Sequence, residues 1–423
     1  MKDLLDTRGA IYNSRPSFFL LDHCMTKGLK PGFQKFGPRW KQLHRLTAAA
    51  FKPKAVDAYR TIQDLESKQL VFDLLHSNDP LAEFERYAAS FAFALTFGER
   101  HIHNQVPAAL RTRELLDCFV RELNLINLLV DVVPILQRLP ERFSRWRRVG
   151  NWYHQRLVRT VTQHMNLALE SGSWNLVREL VGKNEMNDFS WEQLCYIIDE
   201  LDVGTHITTA IALSIFVMVC LQHPDAVSRA QRDLDSVVGP NRLPEFDDIE
   251  NLPYMHAFIN EMLRWQPVTP FGAPHGLTTD DEYMGYRIPK DAIILPHHWS
   301  IGRSPEVHGD PEVFRPERWL EHPDTPLAAF SIGRRACSGQ KVARNTLFIV
   351  ISRCLWAYDV VCPKQGECHS RANSGFLACV SPFGVSFRSR GHQYQETIER
   401  EWSTTNRDVG ALLAHIGKEC FGP

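Results

Sequence analysis

The run that starts at Ser190 and stops before Pro224 constrains the fold more than any other stretch. Ser190 and Gln193 have capping-box spacing, and no proline interrupts the apolar sequence until Pro224. A helix of about 30 residues spans about 45 Å, enough to cross a whole domain. In its middle stand Gly204, Thr205, His206, Ile207, Thr208 and Thr209. An interior glycine costs about 1 kcal/mol relative to alanine, so Gly204 implies a distortion, close packing, or a group held against the helix. A chain of 423 residues, 44% of them hydrophobic, has enough core to bury such a helix. The 25 prolines are dispersed, and neither a repeat nor a low-complexity tract divides the chain. Residues 40 to 265 read as mostly helical, whereas 268 to 300 and 370 to 390 carry turn residues and short β-like runs. The expectation is one continuous domain, mainly α with small β-sheets.

Charge and cysteine usage exclude several classes. A formal net charge of -1 gives no bulk attraction to nucleic acid. The ten cysteines lack C-x-x-C spacing, so neither a zinc site nor a disulfide framework is expected, and a reducing, intracellular compartment fits. The apolar stretches near residues 124 to 136 and 209 to 221 fall short of the roughly 18 to 20 residues that cross a bilayer, so no transmembrane helix is expected. Met1 to Tyr12 has no apolar signal core. Peripheral membrane contact stays open.

The chemistry concentrates in residues 330 to 339, Phe-Ser-Ile-Gly-Arg-Arg-Ala-Cys-Ser-Gly, which precede an apolar-periodic helix through Leu347, Ile349, Val350 and Leu355. A cysteine at a helix entrance, beside Arg334 and Arg335, is placed for stabilisation as a thiolate. Gly333 and Gly339 permit tight turns around it. Such a thiolate suits either iron ligation or nucleophilic attack.

The pattern F-x-x-G-x-R-x-C-x-G strongly resembles the heme-binding loop of the cytochrome P-450 family. The resemblance implies that Cys337 is the axial ligand of heme b, that Phe330 shields the sulfur side, that Gly339 shapes the loop and that Arg335 pairs with a propionate. Thiolate ligation donates electron density to the iron. Further motifs occur in the family's order. Glu261 and Arg264 form E-x-x-R, whose i,i+3 spacing puts both on one helical face. Phe314 to Trp319 resembles the segment that supplies their partner, Arg318. Gly37 to Arg45 resembles the helix that lays a tryptophan and a basic residue against the heme. There Trp40 matches, while His44 stands at the usual arginine with Arg45 beside it. His275 occupies the basic position of a small sheet, and Val268, Thr269 and Phe271 match a stretch lining the substrate pocket.

The resemblance covers about Leu4 to Trp402, with the flavour of eukaryotic, especially fungal, microsomal members. It implies a heme domain over 1–402, without the usual anchor and first strands, and an extension over 403–423. It also implies insertion of one atom of O2 into a lipophilic small molecule, in secondary metabolism, by a monomer. NADPH would supply electrons through a separate cytochrome reductase, for which Arg334, Lys341 and Arg344 are docking candidates. The expected location is endoplasmic-reticulum-associated or cytoplasmic. In the family an acid and a threonine of the central helix handle protons. Alignment of Val203–Thr208 with A-G-x-D/E-T-T puts His206, which could shuttle protons near neutral pH, at the acid and Ile207 at the threonine, leaving Thr208, Thr205, an ordered water or the substrate itself to replace the lost hydroxyl. Ile207 thus keeps open a heme-thiolate isomerase or peroxide-using enzyme, and the altered helix a noncatalytic heme-binding protein.

Overall fold

The computed structural model describes residues 1–103, 107–122, 127–183, 188–363, 372–373, 376–380 and 384–421. Parts of the runs at 124 to 136 and 370 to 390 lie outside these. The first helices are α1 (Pro38–Ala48), α2 (Pro53–Asp73), α3 (Pro80–Phe97) and α4 (Pro107–Glu122). The short α5 (Leu129–Val132), α6 (Arg145–Glu170) and α7 (Leu176–Val181) lead to α8 (Trp191–Gln222), the long helix. Then come α9 (Pro224–Val237), α10 (Pro253–Trp265), the short α11 (His298–Ile301), α12 (Pro305–His308) and α13 (Arg318–Glu321), and finally α14 (Gln340–Ala357), α15 (His392–Thr404) and α16 (Val409–Phe421). Proline opens α1, α2, α3, α9, α10 and α12, where its missing N–H costs nothing.

Four antiparallel strand pairs complete the described fold. They are β1 (His275–Gly276) with β4 (Ile293–Ile294), β2 (Asp281–Tyr283) with β3 (Tyr286–Ile288), β5 (Tyr358–Val361) with β8 (Ser386–Ser389), and β6 (Ala372–Asn373) with β7 (Cys379–Val380). Register is set by pairs such as His275 opposite Ile294 and Tyr358 opposite Ser389. The architecture is mainly helical with small sheets. Among the described residues seven cysteines are free thiols and Cys362 is disulfide-bonded, which departs from the expectation at that position.

The capping box forms as the sequence predicts. Ser190 Oγ accepts the Gln193 N–H at 3.3 Å, and the Ser190 N–H donates to Gln193 Oε1 at 2.9 Å. Helix α8 runs through two separate cores. Its N-terminal half, from Leu194 to Leu201, packs among residues of α4 and α6 such as Phe119, Tyr153 and Leu157. Its C-terminal half, from Ala210 to Cys220, packs among α9, α10 and α14. The Gly204–Thr208 segment falls at the seam. By length and composition α8 would also cross a membrane, which the shorter windows considered above did not register. Because 67% of its apolar window is buried in the fold, it is the core helix of this domain.

Residues 403–421 are no loose appendage. Leu413 and Ile416 of α16 are fully buried in a cluster with Tyr59 of α2 and Val342 of α14, and Phe421 stacks on Trp174 at 5.1 Å.

Candidate active site

The cysteine loop is held by its own backbone and by the chain's first turn. The Cys337 N–H donates to the Phe330 carbonyl at 2.9 Å and the Ala336 N–H to Gly333 at 3.2 Å. Gly333 adopts φ +72°, and a β-carbon there would stand 2.0 Å from the Leu5 carbonyl oxygen. Only glycine meets both demands. Gly339 begins α14, and a β-carbon on it would lie 3.7 Å from the Phe51 ring and 3.9 Å from Cys337 Sγ.

Cys337 reaches the surface, yet crowding by neighbouring protein pushes its thiol up, opposed only by the Gly339 N–H. The two facts together describe a sulfur at the floor of a concave face. The expected stabilisation of the thiolate by arginine does not occur, because Arg335 points elsewhere. Its guanidinium lies 4.0 Å from the Trp40 ring centroid and donates to the carbonyls of Asn13 and Gln34, each at 2.8 Å. A thiol raised in this way is a poor free nucleophile, whereas metal coordination ionises it outright. The ligand reading is therefore favoured over the nucleophile.

Around Arg335 the structure gathers cations that the sequence scatters. Both His44 and Arg45 are exposed, and the stacking of Trp40 on His44 at 4.8 Å ties His44 to the site. His275 is buried, with Nδ1 2.7 Å from the Tyr12 carbonyl. Burial, then Arg15, hold it down at about 4. Arg15, which sequence reasoning passed over, is buried and donates to the carbonyls of Gly32 and Pro274. Burial lowers Arg15 to about 10, against the pull of Glu200, and burial together with Arg15 lowers Arg335 to about 9. Both Asn13 side-chain polar atoms are buried without a partner. Buried guanidiniums that meet only carbonyls are costly unless an anion completes them. A flat apolar macrocycle with two carboxylates and a thiolate-bound metal fits this set of donors.

The central helix supplies the opposite wall. An added β-carbon on Gly204 would meet no protein atom within 4 Å, so helix packing is not its reason. Thr208, about 40° away on the helical wheel, shares that open face, and its hydroxyl donates to the Gly204 carbonyl at 2.8 Å. His206 lies about 160° away. It is fully buried, with Nε2 3.0 Å from Glu85 Oε1 of α3. The assignment of His206 to the acid position is corrected on this ground, since its ring faces α3 rather than the Gly204 side. Ile207 is buried, and Thr205 donates to Leu201 at 2.8 Å beside a cavity of about 10 Å³ that Phe51 also lines. The structure thus places a hydroxyl on the open face, one residue later than the alignment put it.

Glu261, Arg264 and Arg318 meet as a buried triad. Arg264 grips both carboxylate oxygens at 2.8 Å, Arg318 Nε donates at 3.1 Å, and the Trp319 indole at 2.9 Å. Burial pushes Glu261 up, but Arg264, the Arg315 N–H and Arg318 outweigh it and hold the carboxyl below its ordinary value. The pocket candidates divide. Val268 packs against the core, Thr269 Oγ1 lies 3.3 Å from His298 Nδ1, and Phe271 meets His297 edge-on at 4.7 Å.

A domain-spanning helix with an open face, a looped cysteine and a cluster of buried cations fit the helical oxygenases that hold a heme. The family model described as Cytochrome P450 matches residues 1–387, and the chain belongs to that family. It is 37% identical over 424 residues to the Cytochrome P450 monooxygenase aneD of Aspergillus aculeatus, covering 98% of this chain and 82% of that protein. Similarity extends to astF of Aspergillus oryzae, at 33% identity over 99% of this chain and 81% of the relative. Fumitremorgin C synthase of Aspergillus fumigatus is 32% identical over 94% of this chain and 80% of its own length. The chain is accordingly an oxidoreductase of the monooxygenase type.

Proposed function

We propose that this protein inserts one oxygen atom from O2 into a lipophilic small molecule of fungal secondary metabolism, with NADPH-derived electrons delivered by a separate reductase. The observation that carries the reading is the cradle of Arg15, Arg335, His44 and His275 beside the Cys337 loop. Cys337 would hold the iron, and Trp40, Arg335, His44, Arg15 and His275 would hold the propionates. Bound heme supplies the oxygen-activating chemistry. Within this chain, Thr208 is the group that holds a proton or a water on the face of Gly204, and Ile207 and Leu201 keep the adjoining helix surface dry. Because Thr208 supplies that hydroxyl, Ile207 no longer favours a peroxide-using or isomerase reading.

Arg334 and Lys341 remain exposed beside the loop and suit an acidic reductase surface. Arg344 does not, because it bonds Asn260 Oδ1 at 2.8 Å and covers the Phe330 ring at 5.3 Å. Peripheral membrane contact is supported by the apolar residues around α5, where Val132, Ile135 and Phe143 are 74%, 64% and 63% exposed. That contact suits association with the endoplasmic reticulum.

The test is the ferrous carbon monoxide spectrum of heme-loaded protein beside Cys337→Ala. The red-shifted Soret band of thiolate ligation is expected in the wild type and absent in the variant. Identical spectra, or no heme uptake by the wild type, would overturn the reading.

A further inference from the structure

Three phenyl rings from distant parts of the chain meet beside the N-terminal half of α8. Phe33 lies 6.2 Å from Phe119 and 6.1 Å from Phe376, tilted by 45° and 41°. Lys30 places its ammonium 5.9 Å from the Phe119 ring centroid. The same ammonium sits between two carboxylates of α8, 2.8 Å from Asp199 Oδ2 and 3.1 Å from Glu200 Oε2.

This cluster balances neither charge nor hydrogen bonds. Two carboxylates share one ammonium. Asp199 accepts a hydrogen bond from Lys30, whereas Glu200 Oε2, itself buried, meets that ammonium only as an ion pair outside hydrogen-bonding geometry, and the Glu200 side chain stays 36% exposed. The carboxylate occupies space that Gly32 leaves open, since a β-carbon there would stand 2.5 Å from Glu200 Oε1. Arg15, the other cation that feels Glu200, is committed to the carbonyls of Gly32, Ala273 and Pro274. Glu200 precedes Gly204 by one turn, so Glu200, Gly204 and Thr208 follow one another along a single face of the helix. A carboxylate that shares the Lys30 ammonium with Asp199, beside aromatic rings and in line with the Thr208 hydroxyl, is a recognition element for a cationic or N–H-bearing aromatic molecule.

We propose that Glu200 and the Phe33–Phe119–Phe376 trio select a lipophilic substrate that carries an aromatic ring and a protonated amine, the amine donating to Glu200 and the ring lying on the phenyl faces. The inference rests on the monooxygenase reading and names its substrate class.

The probe is N,N-diisopropyl-2-phenylethylamine, too hindered to ligate iron, set against the hydrocarbon in which carbon replaces nitrogen. Both are titrated calorimetrically and by the Soret shift into heme-loaded wild type, Glu200→Gln, Glu200→Asp and Phe33→Ala. The wild type is expected to bind the amine about tenfold tighter or more, the worth of one charge-assisted hydrogen bond. Glu200→Gln should abolish that preference while leaving hydrocarbon affinity and the carbon monoxide spectrum unchanged. Glu200→Asp should retain part of the preference, and Phe33→Ala should weaken both ligands. Equal affinities in the wild type, or a preference that survives in Glu200→Gln, would overturn the proposal. An intact thiolate spectrum without amine preference overturns this inference alone, whereas a chain that takes up no heme overturns both readings.

Discussion

Thr208 and Asp202 show what single side chains on one helix can do when its two faces differ. Thr208→Ala is expected to lower product formation by about 100-fold, the lower range for a positioned proton-transfer group, with heme content unchanged and NADPH consumption diverted to hydrogen peroxide. Thr208→Ser should restore coupling, and steady-state turnover with a peroxide assay checks both. On the opposite face, burial pushes Asp202 up to about 7, with His206 opposing and Asp199 assisting. Its folded value therefore exceeds its ordinary 3.8. Between about pH 4 and 7 the folded protein keeps a proton that the unfolded chain releases, so this group's contribution to stability falls as pH rises across that window. Asp202→Asn should flatten that part of the stability profile, measured by denaturant unfolding at several pH values. Cys337, Glu261 and Arg264 were legible because residue type and local spacing carry the signal. Arg15, Glu200 and the choice of His44 over Arg45 were not, because each depends on contacts with segments far along the chain.

Among elements, α10 is tied to the irregular stretch between α11 and α13 by one carboxylate. Glu261 receives two bonds from Arg264 and one each from Arg318, Trp319 and the Arg315 N–H. Removing its charge leaves two buried guanidiniums without a counterion, a loss of about 3 to 5 kcal/mol. Glu261→Gln should accordingly lower the denaturation midpoint and the yield of heme-loaded protein together, read by circular dichroism and Soret absorbance. The long helix, its cap and α14 were visible as periodic runs with clear start signals. The face that α8 turns toward the cysteine loop was not visible, because linear alignment counts positions and only packing against α3 fixes the rotation. That one-residue difference decides whether a buried isoleucine or a threonine hydroxyl lies beside Gly204.

For the whole molecule, the two cores joined by α8 leave the loop face bordered by exposed Arg334 and Lys341, while Arg344 is drawn inward. Reversing the two exposed charges, as Arg334→Glu with Lys341→Glu, should raise the KM for reductase about tenfold at low salt. The effect should shrink as ionic strength rises, because screening acts on exposed charge pairs. Reductase-titrated turnover at two salt concentrations checks this, with the carbon monoxide spectrum as the control for folding. The fold class was readable from composition and helical periodicity. The cationic cradle was not, since it draws on α1, β1, the N-terminal segment and the cysteine loop at once.

The burial of Leu413 and Ile416 beside Val342 bears on how the protein is made. The floor beneath the cysteine loop shares a cluster with residues that emerge from the ribosome some eighty positions after Cys337. A nascent chain therefore completes that cluster only after α16 clears the exit tunnel, well after the cysteine loop itself has emerged.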